Sequence, residues 1–191
     1  MILVTRSVDE TRSLGEEIAR RVLRAGDFVV LDGELGAGKT ALAQGVAKGL
    51  GVHGRVTSPT FVIAREHEGA VPLTHVDAYR LAGPADLVDL GFDDLVRPDG
   101  VTLVEWGERV VAALPEDRLE VRIRQSFPTV GPAPVPVASG EAAPGAATGE
   151  VAPDEGERTF ELVGVGAGWS DRTDDLEALV SRWREEQEPR C

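Results

Sequence analysis

Gly33-Glu34-Leu35-Gly36-Ala37-Gly38-Lys39-Thr40 decides how this 191-residue chain is read. The octapeptide matches G-x-x-x-x-G-K-[ST] at every fixed position. Before it, Phe28-Val29-Val30-Leu31 reads as a buried strand; after it, Ala41-Leu42-Ala43-Gln44-Gly45-Val46-Ala47 reads as the first turns of a helix. Glycines let the backbone wrap close enough for its N–H groups to point at phosphate oxygens, and the helix N-terminus adds its positive end. In this pattern Lys39 reaches the β- and γ-phosphates, and the Thr40 hydroxyl can ligate Mg²⁺. A glycine-rich turn that merely contains Lys-Thr does not require a strand before it and a helix after it. The stretch therefore predicts a bound nucleoside triphosphate.

Composition sets the frame around this loop. With 42% hydrophobic residues the chain can bury one substantial core, and its length predicts a single domain spanning residues 1–191. The one cysteine, Cys191, excludes a disulfide framework and a Cys-rich zinc site. Met1-Ile2-Leu3-Val4-Thr5-Arg6 lacks the layout of a signal peptide, and no apolar run is long enough to cross a bilayer. A cytoplasmic protein with no membrane partner is the expectation. The net charge of −13 opposes a general nucleic-acid-binding surface, so no DNA partner is expected, and RNA contact would need a local basic patch or a partner protein.

Periodicity supplies the remaining elements. Ser7 and Glu10 form a capping box for a helix whose apolar face is Leu14, Ile18 and Val22, with Gly26 as its left-handed end. A polar strand is expected from Arg55 to Ala64, and another over 71–76 that ends in Asp77. Short helices are expected within 84–96, a strand over 101–104 that ends in Glu105, and a short helix over 107–113. Strands 119–124 and 159–165 alternate as a terminal hairpin. Between them, residues 127–157 are rich in Pro, Ala, Gly and Val and carry five acids without a lysine or arginine, which reads as a disordered insertion. The acidic segment 171–188 reads as an amphipathic helix through Leu176, Leu179, Val180 and Trp183.

Hydrolysis needs acids that hold a metal and orient water. Glu105 follows the better apolar run and is the first choice for the metal; Asp77 is the choice for orienting water or for an outer-shell role. Either acid can instead be a polar residue that closes a strand. Thr57-Ser58-Pro59-Thr60 reads either as a switch whose Thr60 senses the γ-phosphate or as a turn before an edge strand. Trp106 can share the site only if its strand ends at Glu105. His75 shares the face of Asp77 and is expected to be structural. Arg80 can hold a phosphate or a carboxylate, and Arg158, opening the returning hairpin strand, can reach nucleotide.

Four segments, Gly33–Thr40, Thr57–Phe61, His75–Leu81 and Leu103–Trp106, occur in one order within about seventy residues. Together they resemble the bacterial TsaE family, small ATPases of tRNA threonylcarbamoyladenosine biosynthesis. The resemblance covers roughly residues 5–125 and, more loosely, 158–165; it extends to neither the insertion nor the acidic tail. It implies a P-loop α/β fold with a mixed sheet flanked by helices. It implies ATP and Mg²⁺ as cofactors, held by Glu34, Leu35, Gly36, Ala37, Gly38, Lys39 and Thr40, with Thr60 and Arg158 reaching the nucleotide and Thr40 and Glu105 on the metal. Lys39, Asp77 and Glu105 are the implied catalytic set. The implied partners are the TsaD and TsaB proteins, with tRNA met only through them.

Two other functions fit a P-loop of this size. A small-molecule kinase usually carries an arginine-rich lid, whereas the insertion here has no arginine or lysine. A nucleotide-gated binding module would use ATP to order a surface, with turnover incidental.

Overall fold

Strand β2 spans Phe28–Gly33, after β1 (Ile2–Ser7) and before β3 (Ala64–His67) and β4 (Leu73–Asp77). Strands β5 (Val101–Glu105), β6 (Arg118–Ser126) and β7 (Glu155–Val165) follow. The structure is a computed structural model describing residues 1–59, 62–126 and 155–187. Thr60, Phe61, residues 127–154 of the insertion expected over 127–157, and residues 188–191, Cys191 among them, lie outside the described residues.

Alternation along β2 sets the layers. Val29 and Leu31 join one apolar cluster and Phe28 and Val30 the other, so the strand is buried on both faces. Such a strand belongs inside a parallel sheet, and β2 lies between β5 and β6, parallel to both. The seven strands run in the order β1-β7-β6-β2-β5-β4-β3. Strand β4 extends the parallel set beside β5, whereas β1, β7 and β3 pair antiparallel at the two sides. The sheet is mixed, as expected.

The helices are α1 (Val8–Arg21), α2 (Lys39–Gly49), α3 (Pro84–Asp89), α4 (Phe92–Leu95), α5 (Ala167–Ser170) and α6 (Thr173–Gln187). Leu14 and Ile18 of α1, Leu42 and Val46 of α2, and Leu176 and Trp183 of α6 share one core with Val29 and Leu31. Leu87 and Phe92, from α3 and α4, cover Phe28 and Val30. Burial of each such large side chain stabilises the fold by about 1.5–3 kcal/mol. Trp183 also donates its indole N–H to the Val4 carbonyl at 3.1 Å, which seats α6 beside the edge strand β1. Among the described residues no helix is long and apolar enough to cross a membrane.

Ser7 caps α1 by accepting the Glu10 amide at 3.1 Å, but the Glu10 carboxylate takes the amide of Arg6, at 2.7 Å, one residue earlier than a strict capping box. Four expectations change. Helix α1 ends at Arg21 with Val22 as its cap, and Gly26 instead shapes the turn into β2. Of the strand expected over 55–64, only Ala64 is in a strand among the described residues, as the first residue of β3; Val62 and Ile63 both donate to the Pro59 carbonyl at 2.8 Å instead. The helix over 107–113 is two 3₁₀ turns, Gly107–Arg109 and Val111–Ala113. The terminal hairpin is longer than expected: β6 and β7 pair from Arg118↔Val165 to Ser126↔Glu157, so residues 155–157 belong to a strand rather than the insertion.

Candidate functional site

Strand β2 ends where open α/β sheets place ligands, at the carboxyl edge between two parallel neighbours. There the chain turns through Gly33 (φ 150°) and Gly38 (φ 111°), conformations that side chains with a Cβ rarely adopt. A Cβ on Gly33 would stand 2.6 Å from the Ile123 carbonyl, so the loop can pass only as glycine. Gly38 is the N-cap of α2, which starts at Lys39 and directs its N-terminus into the loop.

Two strand tips face this loop. Asp77 ends β4, Glu105 ends β5, and the two are paired in register. The Thr40 hydroxyl donates to Glu105 Oε2 at 3.0 Å, and Glu105 Oε1 lies 2.9 Å from His75 Nε2. Asp77 accepts the Tyr79 amide at 3.0 Å on one oxygen and the Ser58 hydroxyl on the other. The structure thus brings together Lys39, Thr40, Asp77, Glu105 and the Ser58 end of the switch-like segment. Thr60 lies outside the described residues.

Lys39 is 5% exposed. Its ammonium donates to the carbonyls of Gly33 (2.5 Å) and Glu34 (2.9 Å) and sits 3.4 Å from the centre of the Trp106 ring. Burial pushes its pKa down, against the pull of Glu105, Glu108, Asp32 and Asp77. Trp106 reaches the site because β5 stops at Glu105 and Trp106 turns left-handed, φ 60°. With Leu35, Gly36, Ala41 and Tyr79 it lines a cavity of about 480 Å³ over Lys39 and Thr40. Of the remaining loop positions, Ala37 is buried and Glu34 and Leu35 are exposed.

Arg158 reaches the loop from β7. It is 2% exposed and packs so closely on Gly38 that a Cβ there would lie 3.3 Å from its Cδ. One guanidinium N–H donates to the Gly156 carbonyl at 3.2 Å, while the buried Nε has no partner among the described residues. A buried donor of this kind calls for an acceptor, and phosphate oxygen supplies one. The Thr40 hydroxyl and Glu105 carboxylate are hard oxygen ligands that suit Mg²⁺. The donor set thus fits a metal-bound polyphosphate.

Sequence reasoning favoured Arg80 near the site, but Arg80 is exposed. Arg109 instead donates to the Tyr79 carbonyl at 3.0 Å, its guanidinium 5.3 Å and 5.7 Å from the Tyr79 and Trp106 rings. Neither Tyr79 nor Arg109 was singled out by sequence; the nearest signal was the position of Tyr79 between two chosen residues, Asp77 and Arg80.

The family described as threonylcarbamoyl adenosine biosynthesis protein TsaE matches residues 5–129. The chain belongs to the TsaE family. The tRNA threonylcarbamoyladenosine biosynthesis protein TsaE of Streptomyces coelicolor is 57% identical over 116 residues, 59% of this chain and 77% of that protein. Its Treponema pallidum counterpart is 42% identical over 124 residues, 65% of this chain and 91% of that protein. The crystal structure of Bacillus subtilis YdiB superposes with a TM-score of 0.63 at 28% identity, covering 98% of this chain and 96% of that one. The mixed sheet, its flanking helices and this likeness identify the fold as that of P-loop NTPases. The role of this TsaE chain lies in tRNA threonylcarbamoyladenosine biosynthesis. The TsaE match contains the loop, Asp77, Glu105 and Trp106, whereas Arg158 and α6 lie beyond it.

Proposed function

We propose that the chain is a Mg²⁺-dependent ATPase that acts on the TsaB–TsaD pair in the cytoplasm. Its turnover supports formation of the threonylcarbamoyl group on adenosine 37 of tRNAs reading codons that start with A. The observation that carries this reading is the 3.0 Å contact between the Thr40 hydroxyl and Glu105, beside the α2 N-terminus and Lys39. A hydroxyl at the foot of a phosphate loop facing a carboxylate at a neighbouring strand tip is the arrangement that holds Mg²⁺ in P-loop NTPases.

Lys39 would exchange the Gly33 and Glu34 carbonyls for phosphate oxygens. Arg158 donates its unpaired Nε–H to the same anion. Thr40 and Glu105 would hold Mg²⁺, which would neutralise charge on the phosphates. Asp77, steadied by Ser58 and the Tyr79 amide, orients the attacking water. An acidic chain of net charge −13 meets tRNA through its protein partners, with no DNA or membrane contact.

The test is ATP hydrolysis by the chain alone and with the TsaB–TsaD pair. Slow basal turnover that rises with the pair and vanishes in Lys39→Ala supports the proposal. ATP binding without stimulation by the pair would favour the gating or kinase readings.

A further inference from the structure

Glu105 is held from two sides. Thr40 donates to its Oε2, while its Oε1 faces Nε2 of His75 at 2.9 Å. The strands impose this meeting: Asp77 pairs with Glu105 and His75 with Leu103, so His75 and Glu105 are diagonal neighbours on one face. His75 is fully buried and Glu105 is 2% exposed. An ionised carboxylate can only accept, so the hydrogen between them sits on Nε2 of the imidazole. The other ring nitrogen, Nδ1, is buried without a partner among the described residues; the His67 and His75 ring centroids are 6.3 Å apart. Among the described residues, the hydrogen bond His75 makes through its side chain is therefore directed at Glu105.

We propose that His75 is a positioning residue for the metal: by donating to Oε1 it fixes the Glu105 carboxylate and leaves Oε2 alone to face a cation beside Thr40. The inference rests on the nucleotide reading above and deepens it. The terminal torsion of a free glutamate is broad, so an unheld carboxylate samples many orientations. Mg²⁺ demands near-octahedral geometry at short distance and tolerates misplacement poorly. A hydrogen bond on Oε1 removes both the rotation and the option of bidentate ligation. Partners that orient a ligand in this way typically change metal affinity about 10–100-fold when removed. If His75 served only the core, its replacement would lower stability and leave the metal response alone.

His75→Gln and His75→Asn separate the two roles in the full chain. The glutamine amide nitrogen can occupy the place of Nε2, whereas asparagine is one bond shorter and cannot reach Glu105. The readouts are Mn²⁺ binding by electron paramagnetic resonance with a non-hydrolysable ATP analogue bound, analogue affinity in EDTA, and thermal melting. His75→Asn is expected to weaken Mn²⁺ binding at least about tenfold with metal-free analogue affinity held within about twofold, and His75→Gln to stay within about threefold of wild type. If His75→Asn does not fold, His75→Leu takes its place as the variant without a donor. Equal Mn²⁺ binding in all folded variants, or equal loss in the glutamine and donor-free variants, overturns the positioning role. Failure of the wild-type chain to bind the analogue or Mn²⁺ would instead overturn the nucleotide reading, and the inference with it.

Discussion

Arg158 lies against Gly38, closely enough that a Cβ on the glycine would stand 3.3 Å from the arginine Cδ. A residue from the last strand in the chain thus forms one wall of a loop more than a hundred positions earlier. Its buried Nε has no partner among the described residues. Hydrogen bonds to charged groups contribute about 1.5–3 kcal/mol, so Arg158→Met is expected to weaken ATP about 10–150-fold. Methionine keeps the apolar stem and removes the unpaired donor, so the melting temperature is expected to change little. Titration with a fluorescent ATP analogue measures the loss; wild-type affinity would reduce Arg158 to packing.

Glu105→Gln removes one charge and little else. The glutamine can still accept from His75 through its carbonyl and meet Thr40 through its amide. Metal-free nucleotide binding is expected to survive, while the gain in affinity on adding Mg²⁺ disappears. Hydrolysis, with or without partners, is expected to fall at least about a hundredfold, the scale for losing a preorganised electrostatic group. Isothermal titration with and without Mg²⁺ separates the two effects. A variant that keeps its Mg²⁺ dependence would move the metal to another acid.

The parts of this protein legible in its sequence are those specified locally. Phe28–Leu31, the loop and the first turns of α2 are contiguous, and each carries its own pattern of burial, glycine placement and helix formation. Glu105 and Asp77 were legible as acids that end apolar runs, although their register pairing was not. Strand β1 escaped because it gains its place by pairing with β7, from the far end of the chain. The 55–64 strand failed for the opposite reason: Val56, Thr57, Val62 and Ile63 have the composition of a strand. The turn closed on the Pro59 carbonyl, with Ile63 at φ 65°, overrides that preference. Trp106 reaches the site through a left-handed backbone that no propensity assigns to tryptophan. His75 looked like an ordinary core histidine, because only the sheet register aims it at Glu105.

Lys39 makes the empty loop less stable than it can be. Burial holds its pKa below the ordinary lysine value of 10.5 despite four nearby carboxylates. The charged form is therefore penalised in the fold, in full below the folded pKa. Between that value and 10.5 the unfolded chain holds more protons, so wild-type stability rises with pH across that window. Lys39→Met is expected to raise the melting temperature of the nucleotide-free protein at neutral pH and to abolish ATP binding. Each 1 kcal/mol gained moves the midpoint of a chain this size by about 2–4 °C. The gap between variant and wild type is expected to narrow as pH approaches 10.5. Calorimetric scans of both proteins from neutral to alkaline pH check the sign; a gap that widened would show that the carbonyl bonds outweigh desolvation.

Gly45 places the loop helix. A Cβ at Gly45 would collide with the Arg12 carbonyl of α1, and one at Gly15 of α1 would collide with the Leu42 carbonyl of α2. The helices therefore meet backbone to backbone, and neither glycine needs an unusual φ. Gly45→Ala improves helix propensity by about 1 kcal/mol, so propensity alone predicts stabilisation. Separating two packed helices costs more, about 1–3 kcal/mol for overpacking and above that where backbone must move. The expected outcome is a lower melting temperature. The displaced helix also carries Lys39 and Thr40 away from Glu105, so Mg²⁺-dependent nucleotide affinity is expected to fall, although Gly45 itself touches neither group. Gly54→Ala, where a Cβ would meet nothing within 4 Å but the backbone stands at φ +96°, is the control: it is expected to carry backbone strain without the change in nucleotide affinity. Paired melting curves and analogue titrations of the two variants decide the matter, and equal nucleotide affinities would uncouple the α1–α2 contact from the site.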